Sequence, residues 1–337
     1  VNDAFWQLLL AGELSPRKAR LIAEELSGEN QAIERLLAHP ALVEGERRRI
    51  ASASREVASG ARLLLEDEFS ELLAEAEGPP ALFVTGDSSA IQAPCVGIVG
   101  TRNASPYGRA CAQKFAEGLA RAGVTVVSGG ALGIDAAAHQ GALSVGGRTV
   151  AVLAGGVDRV YPAVHAGLFS RIRESGCLLS QFACGAALSD YKFLLRNDLI
   201  AALCSAVLVI EAPTKSGALR TASAAADLGR EVFAVPANID NRAYWGSLNL
   251  LRDGATLVYH PDQILESLGI EPVAWNAPPP SQGDAERVLS TLTVDPLAPE
   301  RIVERTGLDA STVLSELTML EIDGQVIRHA GGYAIRV

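Results

Sequence analysis

The chain has 337 residues, 48% of them hydrophobic, and a formal net charge of −10. That length holds more than one domain, and that hydrophobic content excludes a disordered chain. No run reaches the ~18 apolar residues of a membrane-spanning helix. The opening Val1-Asn2-Asp3 has neither the basic nor the apolar stretch of a secretory signal, so a soluble cytoplasmic protein is expected. The charge divides as −6 over residues 1–80, +1 over 81–269 and −5 over 270–337, which places any anion binding in the middle. Cys95, Cys111, Cys177, Cys184 and Cys204 form no C-x-x-C pair and lie in apolar runs, as small buried hydrophobes do. With scattered histidines besides, no metal site is expected.

Residues 4–65 carry helical periodicity: Leu8, Leu9, Leu14, Leu21, Ile22, Leu26, Ile33, Leu36 and Leu37 recur at three- and four-residue spacing. Ser15-Pro16 is a helix start with proline at the first helical position. A small helical domain of the SAM or helix-hairpin-helix kind is predicted over 1–65. Gly12-Glu13-Leu14-Ser15-Pro16 lacks the second glycine of a DNA-binding hairpin, so the expected role is packing or self-association. Residues 66–80 read as a linker, acidic and helical over Glu66–Glu77 and broken at Gly78-Pro79-Pro80.

A short strand, Ala81–Val84, enters the main domain, predicted over 81–269. Strands are expected near 95–100, 124–128, 149–153, 177–182, 206–211 and 231–235. Helices are expected near 106–121, 133–143, 163–175, 192–203, 217–228 and 261–268. Continuous apolar strands alternating with helices mean a mainly parallel sheet covered on both faces, an α/β Rossmann-like doubly wound domain. Ligands of such a domain bind beyond the carboxyl ends of its strands. Residues 270–283 form a Pro-rich linker around Pro278-Pro279-Pro280, and 284–337 read as three helices and a hairpin, a winged helix. Its recognition helix, Ser311–Ile322, offers Glu316 and Glu321 and no Lys or Arg, so it suits a protein partner better than phosphates.

Within the sheet domain, Gly100-Thr101-Arg102 closes the first parallel strand, with Ser105 as helix N-cap and Pro106 behind it. The dinucleotide fingerprint G-x-G-x-x-G is absent, and an arginine at the end of a central strand suits an anion. Ser128-Gly129-Gly130 closes the second strand and allows backbone to approach a ligand closely. Asp135 reads as a first-turn helix stabiliser and His139 as a packed core histidine. Lys192, Phe193, Arg196 and Asn197 fall within two helical turns, where phosphates would meet the cations and a base the ring. Lys215, Ser216 and Gly217, with Thr221, open another helix and form a phosphate cradle. It is not a Walker A loop, so bound ATP is not expected.

Six motifs in register carry a family resemblance: Gly-Thr-Arg-x-x-Ser-x-Tyr-Gly from Gly100, Ser-Gly-Gly-Ala-x-Gly-Ile-Asp-x-x-Ala-His from Ser128, Tyr161-Pro162, Phe-x-x-Arg-Asn from Phe193, Lys-Ser-Gly-x-x-x-Thr-Ala from Lys215, and Gly229 to Pro236. Together they resemble the DNA-processing protein DprA/Smf family over residues 80–265, and the flanking modules fit its domain order. The resemblance implies a dimeric, non-enzymatic protein that binds and protects single-stranded DNA and loads the RecA recombinase during natural transformation. It implies no cofactor and no catalytic residue. Carried over by position, Arg102, Ser105, Ser128, Gly129, Gly130, Lys192, Phe193, Arg196, Asn197, Lys215, Ser216, Gly217 and Thr221 would line the DNA groove. The chain departs from the family pattern at Gln181, Asp198 and Ala237 and over Ala163–Ala166, and Asp198 reverses a charge beside the groove. Two rivals fit less of the sequence. A phosphoribohydrolase-like nucleotide-processing enzyme would need a Pro-Gly-Gly-x-Gly-Thr motif followed by Glu, which is missing. A scaffold with weak DNA affinity would suit the net charge and Asp198.

Overall fold

The computed structural model describes residues 3–26, 33–53, 61–65, 68–76, 78–237, 239–273, 283–329 and 331–336. It divides into two units, Val1–Val273 and Ala274–Val337.

The first unit opens with helices α1 (Asp3–Ala11), α2 (Pro16–Glu25), α3 (Ile33–Ala38) and α4 (Glu44–Ala53), which close over Phe5, Leu9, Ile22, Leu36 and Ile50. Ser15 caps α2 through its hydroxyl, with Pro16 in the first turn. The helical stretch does not run to 65: Arg62–Leu65 is strand β1, paired antiparallel with β2 (Ala81–Gly86). Leu63 and Leu64 are buried on opposite faces of the sheet, in clusters with Phe83 and Leu82 respectively. That two-residue period is only four residues long and follows a leucine-rich helical pattern, which masks it. The predicted linker is likewise built into the domain. Its helix α5 (Glu71–Glu75) is shorter than the sequence suggested and buries Leu73 in the core.

From Cys95 the predicted alternation holds. Strands β3 (Cys95–Val99), β4 (Thr125–Ser128), β5 (Thr149–Val152), β6 (Cys177–Ser180), β7 (Ala206–Val209) and β8 (Glu231–Ala234) are separated by α6 (Pro106–Arg121), α7 (Ile134–Ser144), α8 (Ala166–Ser175), α9 (Asp190–Leu203) and α10 (Gly217–Asp227). After β8 come α11 (Trp245–Arg252) and a short edge strand, β9 (Thr256–Leu257), both unpredicted, and then α12 (Pro261–Ser267). The sheet order is β1-β2-β6-β5-β4-β3-β7-β8-β9, parallel except for the antiparallel β1 and β2. The parallel part of the sheet starts at β3 and leaves the centre first through β4, β5 and β6, then through β7, β8 and β9, so the topological switch lies between β3 and β7.

Helices α9 and α10 cover one face around Leu199, Leu203 and Ala222. Helices α6, α7 and α12 cover the other around Phe115, Leu119 and Ile264, and α8 adds Phe169 and Ile172 there. Cys95, Cys177 and Cys204 are buried among these apolar side chains.

The second unit comprises α13 (Asp284–Thr291), α14 (Pro299–Thr306), α15 (Ala310–Ile322) and the hairpin β10 (Val326–His329) and β11 (Gly332–Ile335). Val288, Ile302, Val313, Leu317 and Val326 form its core, as a winged helix requires. Asp309 caps α15 by accepting from Thr312 N at 3.0 Å.

Candidate nucleic-acid interface

The turns that end β3, β4 and β7 are locked together. Thr101 N donates to Glu211 O at 2.7 Å, and Ile134 N, opening α7, donates to Thr101 O at 3.2 Å. Gly133 takes φ +80°, and a Cβ there would run into the carbonyls of Thr101 and Arg102, so only glycine lets these turns meet. Ser105 caps α6 by accepting from Gly108 N at 3.0 Å. The Glu211 carboxylate, 1% exposed, accepts from Ser105 N and Oγ at 2.9 Å each and from the Tyr244 hydroxyl at 3.2 Å. Ser105 is therefore tied inward, to an acid that no reading of the sequence had singled out. The only signal for Glu211 is an acid placed directly after an apolar strand.

A cavity of about 60 Å³ opens at the carboxyl ends of β3, β4 and β5, bordered by Arg102, Gly129, Leu153, Ala154, Arg159, Tyr161, Leu188, Phe193 and Arg196. The Arg102 guanidinium carbon lies 5.0 Å from the Phe193 ring centroid and that of Arg196 5.8 Å. Tyr161 meets the same ring edge-on at 6.2 Å between centroids. Arg102 and Tyr161 are exposed, whereas Arg196 is 6% exposed. Arg196 donates from Nη1 to Gly129 O at 2.5 Å and Val152 O at 3.2 Å, and from Nε to Asn197 Oδ1 at 3.0 Å. The cavity thus offers two cations to solvent, Arg102 and Arg159, holds a third, Arg196, fixed in its wall, and sets the Phe193 ring between Arg102 and Arg196.

Besides Ser105, four predicted site residues hold the fold rather than face the cavity. Ser128 is fully buried and donates to Ile98 O at 2.6 Å, tying β4 to β3. Lys192 is 5% exposed, donates to Ala187 O at 2.8 Å and is ion-paired with Glu13 at the α1–α2 turn. Asn197 donates from Nδ2 to Gly217 O at 3.2 Å, linking α9 to the start of α10. Thr221 is 1% exposed, beneath α10. Each is polar on a helix or strand, and sequence alone does not say which way such a residue turns. Gly130 takes φ +66° and its carbonyl accepts from His165 Nδ1 at 2.9 Å. Lys215 and Gly217 remain exposed, and Ser216 caps α10 through Ala218 N at 3.3 Å, leaving that helix N-terminus open to an anion. Asp198 does not repel the cavity: it is paired with Arg220 at 2.8 and 3.0 Å on another part of the surface.

Two titratable groups lie beneath the turns. Burial pushes the Asp135 carboxyl up, against the opposing pull of the Arg196 charge. Burial, with the charges of His165 and Arg196 adding to it, pushes His139 down to about 3. Thr149 Oγ1 donates to Val126 O at 2.7 Å, so His139 Nδ1–H donates to Thr149 Oγ1 at 2.7 Å, and Nε2 finds no partner among the described residues. His139 is a neutral core residue, as the sequence suggested. Arg159 and Tyr161, together with the apolar Leu153, Ala154 and Leu188, border the cavity without being among the residues expected from sequence, although Tyr161-Pro162 is one of the family motifs.

Fold and site together define a Rossmann-type protein that gathers guanidinium groups and aromatic rings around a cavity at its strand ends. Residues 61–269 match the family described as DNA recombination-mediator protein A, and residues 274–332 match the DprA winged helix domain. The chain belongs to this DprA/Smf family. It is similar to Protein Smf of Escherichia coli, 38% identical over 275 residues that span 78% of this chain and 73% of the relative. It is also similar to the crystal structure of DNA processing protein A from Streptococcus pneumoniae, with TM-score 0.69 and 29% identity over 80% of this chain and 99% of that one. A structure of DNA processing protein A from Helicobacter pylori, described for its single-stranded DNA binding mode, matches with TM-score 0.57 and 28% identity over 62% of this chain and 95% of that one. No helix among the described residues is long and apolar enough to cross a membrane.

Proposed function

We propose that this protein binds single-stranded DNA without sequence preference at the carboxyl edge of its sheet, and passes the strand to a RecA-type recombinase in the cytoplasm. The observation that carries the reading is the Arg102–Phe193–Arg196 stack over the cavity, with centroid distances of 5.0 and 5.8 Å. A cation beside an aromatic face takes a phosphate and a base from the same nucleotide, and it takes any base, because every base has a π-face. A duplex hides its bases and offers phosphates alone, so the site favours single strands. Lys215 and the open end of α10 supply a further phosphate contact in this reading.

The site acts as a grip rather than a catalyst. His139, with its proton affinity pushed down to about 3, is fully buried, and Asp135 is engaged behind the cavity wall. Exposed Leu314 and Met319 on α15, beside Glu316 and Glu321, suit the winged helix to a protein partner. The protein works as a homodimer in this account. Fluorescence anisotropy with oligo-dT and a duplex of equal length tests it. Wild type should bind the single strand more tightly, and Arg102→Ala should lose most of that affinity. Equal affinity for both, or an unaffected Arg102→Ala, would overturn the assignment.

A further inference from the structure

A second aromatic–cation pair stands on the same sheet edge, outside the cavity. It lies on the loop after β8, where Asn241 caps the short turn Arg242–Tyr244 and α11 begins at Trp245. Both chain neighbours of Trp245 are immobilised. Tyr244 is 2% exposed, and its hydroxyl meets Glu211 at 3.2 Å and Ser105 at 2.9 Å. Gly246 sits so close to the turn after β7 that a Cβ would meet the carbonyl oxygens of Ala212 and Pro213 at 2.6 Å. Ser247 latches to Ala212 in both directions, donating from N to its carbonyl at 3.1 Å and accepting its N–H on Oγ at 2.9 Å.

Trp245 itself is 42% exposed. Its indole N–H donates to Ile239 O at 2.9 Å, and the Arg242 guanidinium carbon lies 5.3 Å from the ring centroid. The ring is therefore held at its backbone and at its polar edge while the rest faces solvent. Its surroundings are those of a strand-binding surface. Pro213, which Gly246 touches, leads two residues on to exposed Lys215, and Tyr244 touches the cap of the helix that follows the Arg102 turn. Asp240 is the one acid in the sequence between β8 and α11, two residues before Arg242.

We propose that Arg242 and Trp245 form a second contact for single-stranded DNA, with a base stacked on the indole and a phosphate on the guanidinium. The proposal rests on the single-strand reading of the cavity and extends its track across the β3 and β7 turns to the end of β8. Four inter-strand steps separate β5 from β8, a span of ~19 Å at ~4.8 Å per step. An oligonucleotide of about 4 residues engages one contact, and one of about 16 engages both.

The test is the affinity of Trp245→Ala, Trp245→Phe and Arg242→Ala for the two oligo-dT lengths, with circular dichroism and light scattering as controls. For the longer oligomer Trp245→Ala should weaken binding roughly 5- to 150-fold, the worth of one stacked base, while Trp245→Phe keeps a ring and loses less. The short oligomer, held in the cavity, should bind all three variants as it binds wild type. The longer oligomer should also quench tryptophan emission in wild type and much less in Trp245→Phe. Wild-type affinity for the longer oligomer in a folded Trp245→Ala overturns the proposal while leaving the cavity reading intact. A change of oligomeric state in that variant assigns the patch to contact between copies instead. If wild type binds neither length, the cavity reading falls together with the proposal.

Discussion

His139 gives a prediction that depends on the core beneath the site. It is fully buried, its Nδ1–H is committed to Thr149, and its Nε2 has no hydrogen-bond partner among the described residues to accept from it once protonated. With its folded value pushed down to about 3, the unfolded chain binds the proton first, at the ordinary histidine value of about 6.5. The contribution to stability is therefore complete above about pH 6.5 and is lost as pH falls below it, by about 1.4 kcal/mol per unit. Between about pH 7.5 and about pH 5 the loss is ~2 kcal/mol. His139→Asn keeps a donor for Thr149 and does not titrate, so wild type minus variant isolates this term from the carboxylates. Urea denaturation at the two pH values measures it. The wild type should lose ~2 kcal/mol more than the variant on acidification. Parallel losses would show that the imidazole reaches a proton in the folded state, and would refute the burial argument.

Gly129→Ala places a methyl group against the Arg196 guanidinium, which must leave the carbonyls of Gly129 and Val152, so thermal denaturation should show a loss of roughly 3 kcal/mol or more. Ser105→Ala removes a helix cap and one hydroxyl from the buried Glu211 carboxylate, and a melting curve should register ~2 kcal/mol. Glu13→Gln takes the charged partner from the Lys192 ammonium. Because Glu13 is partly exposed the expected cost is about 1–2 kcal/mol, and in a double-mutant cycle with Lys192→Met the losses should fall short of additive.

Much of this was legible in the sequence. The strands from Cys95 to Ala234 announce themselves because they are buried on both faces, and continuous apolar runs are hard to mistake. The glycine turns and Arg102 follow, since strand ends mark where ligands bind. What escaped is side-chain direction and tertiary partnership. Lys192 and Arg102 are alike as letters, yet one is spent on Glu13 and Ala187 and the other stands in solvent. Strand β1 was lost because its period is too short to break a helical pattern, and β9, at two residues, has no pattern at all. Arg159 and Tyr161 lie in a loop, where no periodicity signals which residues reach the cavity, and Trp245 opens a short helix that no apolar pattern announced.

The most direct test of the account is the salt dependence of oligo-dT affinity for wild type and Arg102→Ala. Single-strand binding through phosphates loses about 0.7 log unit of affinity per phosphate for each tenfold rise in salt. If Arg102 holds one phosphate at the mouth of the cavity, the variant should bind more weakly at every salt concentration, with a slope shallower by about 0.7. Identical slopes for the two proteins, or wild-type affinity indifferent to salt, would contradict a phosphate grip at the β3 turn.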